Sequence, residues 1–405
     1  MPAPGRNRIL IWMCVLIAVN QLGFGSIVPV IALYARSFGV LQSAIGVAIG
    51  VYGLARFLVA VPAGQLADRL GRRNVLALGG LITAAGNLLC AYAPDFATFV
   101  VARFIAGAGA AFVVNTGQIV LADITTPAAR GRVMAVYQGT FLFAVSVGPL
   151  PGGLLAEHYG LPAPFVAYAA AGTLAAALAF FSIPETRDLR AAASLTSDPA
   201  ASVALPSFVT QMRLLTGQIG FVLVCLTSFM GAVARTGGLF NVIPILAHDR
   251  LALSADRIGF GLAVASIVGL ALAYPSGVLA DRYGRKTVIV PATVTSGVSL
   301  TIFLLAPTYA WFLAGCIAWS VAAGVGGAAP ASYAADVAPP GMNAAAMSTY
   351  RMLSDLGYVV GPVALGLATD LFGAEATLGA TALLLVAVAA LFARHAPETY
   401  RSIRP

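Results

Sequence analysis

Charge is what this chain has least of. Only 9% of its 405 residues are Asp, Glu, Lys or Arg, where a soluble domain carries about a quarter. Hydrophobic residues make up 60%, and the mean hydropathy is +0.91. So little polar surface excludes a soluble globular protein, and lipid must be the solvent for most of the chain. Histidine is scarce, with 3 residues. The apolar runs contain neither an HExxH-like cluster nor a nucleophile–base pair, which argues against an intramembrane enzyme; no metal and no cofactor is expected. The four cysteines (Cys14, Cys90, Cys225, Cys316) all lie in apolar stretches without a CxxC. They read as small apolar side chains, and the redox compartment stays open. No glycine-rich nucleotide loop is present, so an ion gradient would have to drive any uphill movement. The short alternating strands of an outer-membrane barrel are also missing, which leaves helices as the spanning solution.

What is abundant is apolar runs of membrane-spanning length. About twelve recur, near 9–32, 43–66, 74–92, 97–121, 133–156 and 162–183, then 215–240, 257–280, 287–307, 310–335, 345–369 and 375–394. The expected architecture is an all-α membrane protein. It has a six-helix bundle over 1–183, a linker rich in Ala, Ser and Pro over 184–214, and a second six-helix bundle over 215–405. The basic start followed by ILIWMCVLIAV is too long for a signal-peptide core and reads as an uncleaved first helix. Of the 23 basic residues, sixteen fall on one side of this topology, while Arg36, Arg250 and Arg257 fall on the other. That bias puts both termini and the linker in the cytoplasm, and it accounts for the net charge of +8 without nucleic acid.

The chain also repeats itself. PAGQLADRLGRR, Pro62 to Arg73, returns as PSGVLADRYGRK, Pro275 to Lys286, 213 residues later. The offset holds for Asp123 and Asp336, Met134 and Met347, Tyr137 and Tyr350, and Gly148-Pro149 and Gly361-Pro362. Two halves with six spans each share one orientation. An axis along the membrane normal relates them, and a binding site is expected at the midplane between them.

GQLADRLGRR and GVLADRYGRK resemble the loop signature of the major facilitator superfamily, G-x-x-x-D-R-x-G-R-[RK], over the whole chain. Gly64 and Gly277 are read as points of close helix approach, Gly71 and Gly284 as tight turns. Arg69 and Arg282 complete the two D-R pairs. The resemblance implies a cytoplasmic charge relay of Asp68, Arg72 and Asp123, with Asp281, Arg285 and Asp336 in the equivalent places, as gating loops. The fifth span, AVYQGTFLFAVSVGPLPGG, is similar to the antiporter signature of drug:proton exporters and ends on Gly148, Pro149, Gly152 and Gly153; Ala135 and Ala144 replace two of its glycines. LGFGSIVPVIA in the first span resembles a pattern of twelve-helix drug exporters, with Ala32 in place of a final proline.

Ionisable groups inside a membrane are candidates for function because each is costly unless paired or hydrated. Arg103 matches the family's R-x-x-x-G-x-G element associated with proton transfer; since arginine keeps its own proton, it would act on a carboxylate. Asp355 is the acid placed deepest, with Arg351 one turn before it on the same face. Arg56 and Arg235 add two more cations. The first span offers Asn20 and Gln21 where some exporters of cationic drugs carry an acid, so the cargo is expected to be neutral or anionic. Phe24, Tyr52, Phe141, Trp319, Tyr350 and Tyr358 could line an apolar cavity. His158 and His248 are assigned to external loops.

These features together suggest a monomeric secondary transporter of the inner membrane working by alternating access, most simply proton-coupled efflux of small amphipathic compounds or drugs. The alternative is proton-coupled uptake of an organic anion or small metabolite. Protons, a small-molecule substrate and the lipid bilayer are the expected partners.

Overall fold

The computed structural model describes residues 6–125, 127–187, 208–339 and 342–399. Among these residues every regular element is helical. In chain order they are α1 (Arg6–Ile27), α2 (Ile31–Arg36), α3 (Gln42–Leu70), α4 (Arg72–Ala91), α5 (Phe96–Asp123), α6 (Pro127–Val147), α7 (Pro149–Tyr159) and α8 (Ala163–Ser182). Then come α9 (Phe208–Thr216), α10 (Ile219–Val233), a π-helical stretch (Ala234–Val242), α11 (Ile243–Leu251), α12 (Ala255–Tyr283), α13 (Lys286–Leu305), α14 (Tyr309–Gly326), α15 (Ala329–Asp336) and α16 (Asn343–His395). Eleven of the resulting segments are long and apolar enough to cross a membrane. The last of them, Ala345–His395, holds two of the expected spans, because Gly373 at φ 83° breaks the helix between them. The protein is an all-α integral membrane protein. Of the expected linker, 188–207 lie outside the described residues, and its end belongs to α9.

The duplication is written into the backbone. Among the described residues six have positive φ: Gly39, Gly71, Gly160, Ala252, Gly284 and Gly373. They form three pairs 213 apart, 39 with 252, 71 with 284 and 160 with 373. Each marks a turn between helices where the chain must enter the left-handed region that glycine tolerates. Ala252 is the exception among them, at φ 50°.

The chain divides into two compact units. The first comprises Met1–Val40, Val47–Ala200 and Ser254–Ala263. Its core gathers Met13, Leu16, Ile17, Leu76, Val113 and Tyr137 with their neighbours, all buried. In lipid no hydrophobic force presses helices together, so small residues that allow close packing do that work. A methyl group at Gly80 would lie 2.7 Å from the Gly172 carbonyl and from Ala176 N, and one at Gly79 would lie 2.7 Å from Phe112 Cβ. Within this unit Gly259 of α12 meets the carbonyl of Pro149.

The second unit comprises Leu41–Gly46, Ala201–Leu253 and Val264–Pro405. Its core is built on Phe221, Val224, Ile289, Tyr333 and Phe392. Gly46 there faces the carbonyl of Pro362, the same relation as Gly259 to Pro149 one repeat away. Asp370 accepts hydrogen bonds from the backbone N–H of Gln42 and of Ser43, both at 2.9 Å, and so satisfies free donors at the start of α3. Helices α10 and α16 run parallel: Gly357 faces Phe229 and Ala232, and Gly361 faces Val233 and Thr236.

Candidate functional site

The repeated loops fold into matching clusters. In the first unit Gly71, at φ 91°, turns the chain from α3 into α4 and delivers Arg72 to the interior, 1% exposed. Its Nε meets Asp123 Oδ2 at 3.0 Å, its Nη2 meets Asp68 Oδ1 at 2.8 Å, and its Nη1 donates to the Ala67 carbonyl at 2.9 Å. Asp123 also accepts from the Thr186 hydroxyl at 3.3 Å. Glu185 closes the cluster by accepting from the backbone N–H of Arg72 at 2.9 Å and of Arg73 at 3.3 Å, which places a carboxylate on the N-terminus of α4. Burial pushes the Glu185 carboxyl up, but N–H donation from Arg72, Arg187, Arg73 and Thr186 outweighs it and holds the group below its usual value. Arg69 is exposed, and its carbonyl accepts from Arg187 at 3.2 Å.

The second unit repeats the design. Arg285 Nε meets Asp336 Oδ2 at 3.0 Å and its Nη1 donates to the Ala280 carbonyl at 3.1 Å. Thr399 donates to Asp336 at 3.2 Å, and Glu398 accepts from the backbone N–H of Arg285 and Lys286, both at 3.2 Å. Here Gly284, at φ 104°, makes the turn. The copies differ in burial: the Arg72 and Asp123 side chains are each 2% exposed, those of Arg285 and Asp336 19% and 37%. Arg282 is exposed over the Tyr283 ring at 5.4 Å, and the Asp281 side chain lies outside the described residues. The sequence reading missed Glu185, Thr186, Glu398 and Thr399. The signal was present, since Pro184-Glu185-Thr186 and Pro397-Glu398-Thr399 stand 213 apart. One expectation needs correction. Among the described residues nothing crowds Gly277 within 4 Å, and Gly64 meets only Ile119 Cδ1 at 3.9 Å. Close approach is made elsewhere, at the glycines of α4 and α5, because those helices pack along their whole length.

The fifth-span glycines are tightly packed. A Cβ at Gly152 would overlap the Ser26 carbonyl, one at Gly148 would lie 2.6 Å from Gly25 Cα, and one at Gly153 would lie 2.6 Å from the Ala255 carbonyl. Pro149 opens α7 directly after Gly148, where α6 ends. His158 and His248, expected in loops, instead sit in the last turns of α7 and α11.

The remaining candidates separate by environment. Arg103 is 2% exposed, lies over the Tyr52 ring at 4.4 Å and donates to the Ala48 carbonyl at 3.3 Å, while its Nη1 has no hydrogen-bond partner among the described residues. Tyr52 in turn pairs with Tyr168 at 3.3 Å and stacks on Phe24. Asn20 and Gln21 are buried and bonded to each other at 2.9 Å, and Asn20 Oδ1 has no partner among the described residues. Arg56 is half-buried. Arg351 and Asp355 are both exposed. They lie beside, and not on, the stripe of α16 formed by Tyr350, Ser354 and Tyr358 at four-residue spacing.

That stripe faces a cavity of about 210 Å³ within the second unit. Arg235 and Trp319 line it too, with Ser228 and other hydroxyl-bearing residues of α10 and α13. Ser228 donates to the Tyr350 hydroxyl at 2.8 Å, tying α10 to α16 at one end. Among the described residues no group of His, Cys, Asp and Glu stands close enough to hold a metal ion.

The family model of the Major Facilitator Superfamily matches residues 13–254 and 224–404. A relative from Methanocaldococcus jannaschii, the uncharacterized MFS-type transporter MJ1560, is 23% identical over 91% of this chain and 92% of its own length. The tetracycline resistance protein, class C, of Escherichia coli is 28% identical over 75% of each chain. Among solved structures, a bacterial homolog to the human lysosomal transporter Spinster superposes with a TM-score of 0.79 over 97% of both chains at 17% identity.

Proposed function

The chain belongs to the Major Facilitator Superfamily, a family of membrane transporters and not of enzymes, and from that premise we propose a proton-coupled exporter of small amphipathic compounds. It resides in the inner membrane as a monomer with both termini in the cytoplasm. It works by alternating access, in which a binding site opens to one side of the membrane and then to the other. The observation that carries this reading is the pair of matching clusters, Arg72–Asp123–Thr186 and Arg285–Asp336–Thr399, one in each half. Charged pairs of this kind hold one arrangement and break in another, which is what a gate requires. The direction of transport is argued from the fifth-span glycines and from the relative named for tetracycline resistance. Coupling is assigned to Asp355, with Arg351 one turn away and Arg103 as a fixed charge.

Purified protein in liposomes with an imposed pH gradient, screened against amphipathic drugs and organic anions, tests the proposal. Compound-triggered proton flux in the antiport sense is expected. Flux in the opposite sense would replace export by uptake symport, and no proton flux with any compound would end the coupling reading. Asp355→Asn is expected to abolish gradient-driven transport while sparing exchange; uphill transport retained in that variant removes Asp355 from the scheme.

A further inference from the structure

The cavity of the second unit carries a feature that its lining leaves unbalanced. Arg235 stands at the middle of the apolar segment Ile219–Leu251, 16 residues from either end. It is half-buried and faces the cavity, yet among the described residues it forms no ion pair and no hydrogen bond; its contact is the Phe240 ring at 5.8 Å. Among the described residues no carboxylate lines the cavity. A guanidinium at that depth needs a counter-charge, and this pocket supplies none. The helix is also π-helical from Ala234 to Val242, a local widening that is uncommon and frequently accompanies functional sites.

The remaining lining describes what would fit. Thr227, Thr293 and Ser296 spend their protons on carbonyls of their own helices, so they add no donor. Ser228 donates to Tyr350, which leaves the phenolic proton of Tyr350 available to a ligand. Trp319, Tyr350 and Tyr358 bring three aromatic side chains to the lining, which suits a ring. Because α10 and α16 run parallel, Ser228 and Tyr350 close one end of the cavity, and Arg235 lies two turns further along. The volume of about 210 Å³ is below the roughly 300–1,000 Å³ of drug-sized sites, so the occupant is compact.

We infer that this cavity is a binding subsite for a compact aromatic monoanion, its carboxylate held by Arg235 and its ring lying against Trp319, Tyr350 and Tyr358. The inference rests on the transporter reading above and narrows its cargo. The ligand's own charge completes an ion pair that the protein leaves open, which selects against cations by leaving two positive charges facing each other.

Calorimetry on the full-length protein in lipid nanodiscs tests it with three probes of one shape: 1-naphthoate, 1-naphthamide and 1-naphthylmethylammonium. Naphthoate is expected to bind at least tenfold tighter than the amide, and the ammonium more weakly than both. Arg235→Gln should erase the preference for the carboxylate, Arg235→Lys should keep the order with lower affinity, and Tyr350→Phe should weaken naphthoate a few-fold. If Arg235→Gln does not fold, the Lys and Phe variants decide. Equal binding of amide and carboxylate, a preference for the ammonium, a preference that survives Arg235→Gln, or no naphthoate binding at all would each overturn the inference. Gradient-driven drug flux without any carboxylate preference would remove this subsite and leave the transporter reading standing. A carboxylate preference without gradient-driven flux would do the reverse.

Discussion

The duplication sets up a comparison inside one molecule, since the same acid–arginine pair is buried in one half and partly exposed in the other. Asp123→Asn and Asp336→Asn each remove one charge at constant volume. Asp123 and Arg72 are both 2% exposed at 3.0 Å. Removing one partner of such a pair strands a charge and costs about 3–5 kcal/mol. Asp68 stays 2.8 Å from Arg72 but is 64% exposed and so screened, which puts the expected loss near the lower bound, about 3 kcal/mol. Asp336 is 37% exposed, so its pair belongs with surface ion pairs worth about 0–1 kcal/mol. The expected difference is about 2 kcal/mol, roughly thirtyfold in the unfolding equilibrium. Unfolding in detergent micelles, followed by circular dichroism against denaturant, reads it directly. A double-mutant cycle with Arg72→Gln should assign most of the loss to the pair. Equal losses at the two positions, or a larger one at Asp336, would refute the argument that burial decides what these clusters are worth.

Two further outcomes are expected. The Glu185 carboxyl is held below its usual value by the N–H groups it receives. Its contribution is therefore present above the unfolded-state value of about 4.3 and is lost as pH falls through the lower folded value. Acid titration of the unfolding midpoint should show a decline that Glu185→Gln flattens; an unchanged decline would mean that other carboxylates carry it. Ala252 occupies a left-handed position that its counterpart one repeat earlier, Gly39, fills without strain. Ala252→Gly should relieve roughly 1–2 kcal/mol of strain against about 0.4–1 kcal/mol of added unfolded-chain entropy. The melting midpoint in detergent should rise, and a fall would show that the position is not strained.

Arg72 and Asp123 could be singled out from the sequence because the loop carrying them is written twice and resembles a family signature. Their partners Glu185 and Thr186 were not, although Pro-Glu-Thr also recurs. A short tripeptide gains meaning only once folding brings the end of α8 back to the start of α4. Gly64 and Gly277 were read as packing points from residue type alone. Which glycine is crowded depends on where the neighbouring helix crosses, and that is a property of the packed bundle.

By itself the amino-acid sequence determined that the chain lives in lipid, that it is helical, that it crosses the membrane about twelve times and that it is built as a duplicated half. These follow from composition, run length and repetition, which are additive along a chain and need no partner in space. The tertiary structure alone decided which buried charges are answered. It paired Arg72 with two acids, set Arg103 against Tyr52 and left Arg235 facing a cavity that no carboxylate among the described residues lines. An arginine reads the same in any apolar run, and its worth depends on what other helices bring within a few ångströms of it.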